Sequence, residues 1–343
     1  MDAFQIGESA YLHEKKLLVM NALRNWYRGR GFSPLFQATE TILSLSNLFS
    51  RHALKPVDDE RLRPVFIIGS GRSGNTLMRA LLVAQGEIAI PPESYVLGSA
   101  IREFYRYNYL PWQMLARLGL SRFESHPQFH TWEMDMLPVY HLALHFDREQ
   151  QNFACLIDVL YSNYAKQHQP QARRWGDKTP MNTLYLDEIR QVFPHAQFVH
   201  MLRDGRDVVA SYLQSGLYDD LPAAARRWLE AIEAASQLGE KQGKDGYLLV
   251  RYEDLVNEPL RIVQDTCSFL DIAYRKEMLE FWKRADELGD TYQNHHQKIH
   301  SPIKPDSIGS WQRQLSEQQQ EQVQRLLDGK LAELGYIDAR GRN

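Results

Sequence analysis

Eight residues, Gly69-Ser-Gly-Arg-Ser-Gly-Asn-Thr76, constrain this chain more than any other stretch. They follow Pro64-Val-Phe-Ile-Ile68, a short apolar run rich in β-branched residues. Such a run suits a strand buried on both faces, as in a parallel sheet. Residues 76–84 then carry apolar residues at helical spacing. A strand, a glycine-rich turn and a helix in that order make an anion site. Glycines let successive backbone N–H groups converge into a concave nest, and the helix start adds its positive end. The spacing follows the phosphate-loop pattern of Gly, four residues, Gly, a lysine position and Ser/Thr.

The departure from that pattern concerns the chemistry. Asn75 stands at the lysine position, so the cation that would span a triphosphate is missing. Arg72 supplies a different cation from inside the loop. No apolar strand ending in Asp offers itself as a magnesium-holding partner. A nucleoside triphosphate hydrolase is therefore disfavoured.

Further strands are predicted at residues 196–202 and 247–251, and helices at 204–213, 222–238 and 316–334. Ser316 and Gln319 form a capping box, and Val323, Leu326, Leu327, Leu331 and Leu334 form an apolar stripe. Short strands alternating with helices predict an α/β domain with a mostly parallel central sheet flanked by helices. Residues 1–60, with helical periodicity at 12–26 and 39–48, read as an N-terminal helical extension ahead of a main domain at 61–343. Within that domain, residues 94–174 form a helical insertion dense in aromatics. Packing in the insertion's own core is the plainer use for them, and lining a pocket is the other.

Composition narrows the partners. Forty basic against 43 acidic residues leave a net charge of −3, unlike the large basic excess of a protein that coats nucleic acid. No stretch reaches the ~20 apolar residues a bilayer span needs, and the charged N-terminus lacks a secretory core. Cys155 and Cys267 are expected to be free thiols in a reducing compartment, so a cytoplasmic chain is expected.

Three blocks resemble the P-loop sulfotransferases, which use 3′-phosphoadenosine 5′-phosphosulfate (PAPS) and release the bisphosphate PAP. The first block runs from Phe66 to Arg79 through the glycine-rich loop. The second is His200-Met-Leu-Arg-Asp-Gly-Arg-Asp-Val-Val-Ala-Ser211, and the third is Arg251-Tyr-Glu-Asp-Leu255. The likeness is greatest to the branch holding the tyrosylprotein sulfotransferases and their bacterial relatives. It implies a three-layer P-loop fold. It also implies that Gly71, Arg72, Ser73, Gly74, Asn75 and Thr76 hold the 5′-phosphosulfate, that Arg203 and Ser211 hold the 3′-phosphate, and that Tyr252 lies near the nucleotide. By the same likeness Glu93, in Pro91-Pro-Glu-Ser-Tyr95, is the general base. Lys178, in Gly176-Asp-Lys-Thr-Pro180, and Arg72 then steady charge at the reacting group. Residues 304–313 resemble a loop that closes over the nucleotide, with Ser307, Trp311 and Arg313 as candidates.

The implied activity is sulfuryl transfer to a hydroxyl or phenol, without a metal. A kinase-like phosphotransferase and a nucleotide-binding protein without catalysis are the alternatives. The acceptor is expected to be a small molecule or a sugar. The N-terminal helices could cap its site or pair two subunits in a homodimer. His295, His296 and His300 lack the companions of a closed metal site, and Arg173-Arg174 reads as a solvated face.

Overall fold

The structure is a computed structural model that describes residues 51–56, 62–289 and 299–337. The fold is that of one unit, His52–Asn343. The two N-terminal helical stretches expected at 12–26 and 39–48 lie outside the described residues, as do His295 and His296.

Five parallel strands form one sheet in the order β2-β3-β1-β4-β5. They are β1 (Val65–Ile68), β2 (Ile88–Ala89), β3 (Arg174–Asp177), β4 (Gln197–Leu202) and β5 (Tyr247–Arg251). The central strand β1 is buried at every residue and pairs with β3 on one side and β4 on the other. Its side chains alternate between two cores. Phe66 and Ile68 join Phe198 and the aromatics of the helical insertion, while Val65 and Ile67 join Val199 and Met201 on the opposite face. That alternation, helices above and below a parallel sheet, is the three-layer α/β architecture.

Helices α1 (Asn75–Gln85) and α7 (Gly205–Gln214) leave the C-terminal ends of β1 and β4. The insertion supplies α2 (Leu97–Tyr107), α3 (Trp112–Glu124), α4 (Leu137–Leu144) and α5 (Phe153–His168), and α6 spans Leu186–Val192. Helix α8 (Leu221–Gly246) leads into β5, followed by α9 (Tyr252–Asn257) and α10 (Pro259–Leu270). The short α11 (Trp311–Gln314) and the long α12 (Glu317–Glu333) end the described fold. The Ser316–Gln319 capping box starts α12 as expected. Val323, Leu327 and Leu331 are buried, but Leu326 is 42% exposed and falls outside the stripe. No helix among the described residues is long and apolar enough to cross a membrane.

Most aromatics of the insertion serve packing. Phe104, Trp112, Phe123 and Trp132 are buried in a single core shared with the sheet, not one private to the insertion. Arg174 is not a solvated residue. Half-buried at the start of β3, it donates to the carbonyls of Arg63 and Leu270 and to Gln197 Oε1, each at 2.8 Å. Burial, helped by the charge of Arg63, pushes its guanidinium down to about 10. Cys155 and Cys267 are free thiols.

One buried histidine ties β4 to β5. His200 Nδ1 lies 2.5 Å from the Tyr247 hydroxyl, and its Nε2 has no partner. Burial pushes the ring down to about 3, well below the ~6.5 of an unfolded histidine. Between those values the unfolded chain binds the extra proton, so stability falls as pH falls from about 6.5 towards 3, by up to ~1.4 kcal/mol per pH unit. His200→Leu is expected to flatten that acid slope in urea titrations at pH 6 and 4.5. An unchanged slope would mean that His200 is not the group responsible.

Candidate active site

The loop at 69–74 turns through left-handed backbone at Gly69 (φ 128°), Arg72 (φ 66°) and Gly74 (φ 94°). A Cβ at Gly69 would stand 2.4 Å from the Met201 carbonyl oxygen, and one at Gly74 would stand 2.6 Å from the Tyr252 ring. Only glycine fits these two positions. Gly74 is the N-cap of α1 with no side-chain cap, and no acidic residue occupies the first turn. The start of α1 thus carries neither a capping side chain nor an acid, a setting that suits an anion.

Distant residues brace the loop. The Thr183 hydroxyl accepts from the Gly69 N–H at 3.0 Å and donates to the Gly69 carbonyl at 3.0 Å. Ser70 Oγ and the Tyr212 hydroxyl lie 3.0 Å apart. Asn75 is buried, and its Nδ2 donates to the Ser70 carbonyl at 2.9 Å. The residue in the lysine position thus steadies the loop. Ser73 Oγ is buried in the loop with no partner among the described residues.

Two arginines converge beside it. Arg72 Nε donates to Ser211 Oγ at 2.9 Å, and Arg203 Nη1 donates to the Arg72 carbonyl at 3.0 Å. Burial first, and then the charge of Arg203, push the Arg72 guanidinium below its ordinary value. Arg203 Nη2 donates to the Ser307 carbonyl at 2.7 Å, and its guanidinium lies 4.6 Å from the centre of the Tyr252 ring. Its Nε is buried without a partner among the described residues. Arg72, Ser73, Arg203, Ser211, Tyr252 and Ser307 are therefore brought together.

Glu93 and Lys178 meet at the same end of the sheet. Lys178 Nζ donates to Glu93 Oε1 at 2.5 Å, with Lys178 1% and Glu93 16% exposed in their side chains. Glu93 Oε2 has no partner among the described residues. The charge of Glu93 reaches Arg72, which links this pair to the loop.

The segments carrying the pair are stitched by their neighbours. The Ser94 N–H donates to Thr179 Oγ1 at 2.9 Å. The two hydroxyls lie 3.3 Å apart, and the neighbouring Asp177 accepts from Tyr161 at 2.5 Å and from Asn182 at 2.8 Å. Burial pushes the Asp177 carboxyl up, and hydrogen bonding, first of all from Tyr161, opposes that. Asp177 ends a strand beside β1, where a magnesium-holding carboxylate would be sought. That strand, Arg-Trp-Gly-Asp, is no apolar run, and its carboxylate is already committed to two side chains, Tyr161 and Asn182.

A second buried carboxylate holds the C-terminal loop. Asp207 accepts from the N–H groups of Gly309 and Trp311, each at 2.9 Å, and from Ser310 Oγ at 3.1 Å. Its Oδ2 also lies 3.5 Å from Arg203 Nη2. Trp311 packs under Arg206, whose guanidinium is 4.6 Å from the ring centre. Arg313 is exposed and donates back to the Asp306 carbonyl at 3.1 Å, away from the arginine cluster. In the third block Glu253 Oε1 accepts from the Asp204 N–H at 3.0 Å, fixing the turn after β4. His300 stands 3.8 Å from Asp286 on the surface.

Sequence reasoning missed Asp177, Asp207, Thr183 and Tyr161. Asp177 and Asp207 stand inside quoted blocks, one residue before Lys178 and four after Arg203. That spacing was the one available signal, because an Asp at i+4 from an Arg reaches back to it on a helix.

A family model described as the sulfotransferase family matches residues 64–276. A putative protein-tyrosine sulfotransferase of Caenorhabditis briggsae is 25% identical over 222 residues, covering 63% of this chain and 68% of that protein. Protein-tyrosine sulfotransferase A of Caenorhabditis elegans is 25% identical over 223 residues, and the chain spans about half (51%) of its length. The solved sulfotransferase domain of the Synechococcus PCC 7002 olefin synthase superposes with a TM-score of 0.53 at 23% identity. It covers 79% of this chain and 96% of that domain, a likeness of fold.

Asp207→Ala would strip three donors of their acceptor and leave Arg203 without its carboxylate. It is expected to cost about 3 kcal/mol in chemical denaturation. A loss under ~1 kcal/mol would show that other contacts hold the loop at 305–311.

Proposed function

This chain belongs to the sulfotransferase family, and from that membership we propose that it transfers a sulfuryl group from PAPS to a hydroxyl or phenol, with Glu93 as general base. The observation that carries the reading is the Lys178–Glu93 contact of 2.5 Å, made within electrostatic reach of Arg72 in the anion loop. A proton acceptor and two cations then face one anion site.

The residues fit the donor. The loop N–H groups, Ser73 Oγ and Arg72 suit the 5′-phosphosulfate, and Arg203 with Ser211 suits the 3′-phosphate. Ser73 Oγ and Arg203 Nε are buried polar atoms without protein partners, as expected where a ligand supplies them. PAPS brings a sulfuryl group joined to the 5′-phosphate by a labile anhydride bond.

The chain's own part is positional and electrostatic. Glu93 Oε2 takes the acceptor's proton as the new O–S bond forms and the S–O bond to phosphate breaks. Lys178 spends one of its three N–H donors on Glu93, and described residues take neither of the others. Those N–H groups, with Arg72, face the charge that grows on the departing phosphate oxygen.

The relatives named as protein-tyrosine sulfotransferases make a tyrosine phenol the first acceptor to try. The aromatics of the insertion mostly fill the core, so they lend little support to a small apolar acceptor. The kinase-like alternative loses ground to Asn75, turned inward, and to Asp177, already engaged.

Calorimetry with adenosine 3′,5′-bisphosphate beside magnesium ATP tests the donor class. Tight bisphosphate and weak ATP binding are expected, and the reverse would return the loop to triphosphate chemistry. Glu93→Gln should leave bisphosphate binding nearly intact and lower turnover by roughly 10²-fold or more. Unchanged turnover would remove Glu93 from the reaction. Arg203→Ala should weaken the bisphosphate while sparing 5′-AMP, and equal losses would mean that Arg203 meets a different phosphate.

A further inference from the structure

Arg227 on α8 is a buried cation with no use in the mechanism above. It is 9% exposed. Its Nη2 donates to the Pro180 carbonyl at 3.2 Å, and its Nη1 is buried with no partner among the described residues. No carboxylate among the described residues pairs with it. A guanidinium stays charged in a protein. Burying one without an anion is unfavourable, so this position disfavours the free protein.

Its surroundings point to the site. Pro180 lies two residues beyond Lys178. The Tyr212 hydroxyl, which the Arg227 charge influences, bonds to Ser70 Oγ and lies against Gly71. Next to Arg227 in the chain, Trp228 is fully buried and its Nε1 donates to the Arg203 carbonyl at 3.2 Å. That contact fixes this turn of α8 against the turn after β4. Arg227 is thus placed between the Lys178 segment and the flank of the anion loop.

We infer that Arg227 is a third guanidinium of the substrate site, held for an oxyanion of the bound reactants. The inference rests on the sulfuryl-transfer reading. Two sources carry that chemistry: a phosphate or sulfate oxygen of the donor, and an acid group on the acceptor. Arg227 neutralises whichever one enters, and the ligand in turn relieves the buried charge. The free protein should therefore gain nothing from Arg227, whereas the liganded protein should depend on it.

The test compares wild type with Arg227→Met and Arg227→Lys. Thermal unfolding of the free proteins comes first, and Arg227→Met is expected to unfold no earlier than wild type. Binding of adenosine 3′,5′-bisphosphate is then measured. Turnover follows with a neutral phenol and with the same phenol bearing a carboxylate. A loss of about 10-fold or more in bisphosphate affinity, partly restored by lysine, assigns the oxyanion to the donor. Unchanged nucleotide affinity with KM raised about 10-fold for the acidic phenol alone assigns it to the acceptor.

Unchanged affinity and unchanged KM for both phenols would overturn the inference. So would an Arg227→Met protein that unfolds early yet binds and turns over normally, since that marks a structural arginine. A wild type that binds no bisphosphate would instead overturn the sulfuryl-transfer reading, leaving Arg227 without a reactant to hold.

Discussion

Like charges have to be held together for this site to exist. Arg72 and Arg203 lie close enough for the charge of one to push down the guanidinium of the other, and both are largely out of water. Left alone, such a pair would swing apart into solvent. The fold prevents this by fastening each arginine to backbone or hydroxyl oxygen. Arg203 grips the carbonyls of Arg72 and Ser307, and Arg72 grips Ser211. The repulsion stays in the structure as a field that an anion relieves, which is how preorganised sites favour charged ligands.

Two fully buried carboxylates divide the work of holding that field. Asp207 gathers Arg203 with the backbone of the loop at 305–311, so the arginine cluster and that loop share one post. Asp177, next to Lys178, holds Tyr161 and Asn182, while the Ser94–Thr179 bond ties the segment bearing Glu93 to the segment bearing Lys178. A buried carboxylate that accepts several hydrogen bonds is a geometric constraint more than a source of stability. Each therefore acts by fixing distances: 2.5 Å between Lys178 and Glu93, and 3.0 Å between Arg203 and the Arg72 carbonyl.

What the sequence reveals follows what is periodic in it. The strand β1 is a continuous apolar run and β4 and β5 are mostly apolar, and their reading matches the structure to within a residue. β2 is two residues long, and β3 is Arg-Trp-Gly-Asp, so neither has a pattern to find. Arg174 misleads for the same reason: its charge reads as solvent-facing, yet three oxygens from distant segments satisfy it. Thr183 is invisible because its role, clamping both polar groups of Gly69, depends on a contact 114 residues away. The blocks show where chemistry is concentrated. The single buried polar residues that aim it come from tertiary packing, which local spacing does not encode.

The exchange of lysine for Asn75 shows how one loop can serve different anions. In the usual phosphate loop the lysine extends along a chain of phosphates and neutralises the far end. Here the side chain at that position turns back and closes on the Ser70 carbonyl. Positive charge enters instead from Arg72 within the loop and from Lys178 at the end of β3, a strand paired with β1. Lys178 meets Glu93 at 2.5 Å, and the charge of Glu93 reaches Arg72, so the positive groups that replace the lysine are arranged around a carboxylate beside the strand ends.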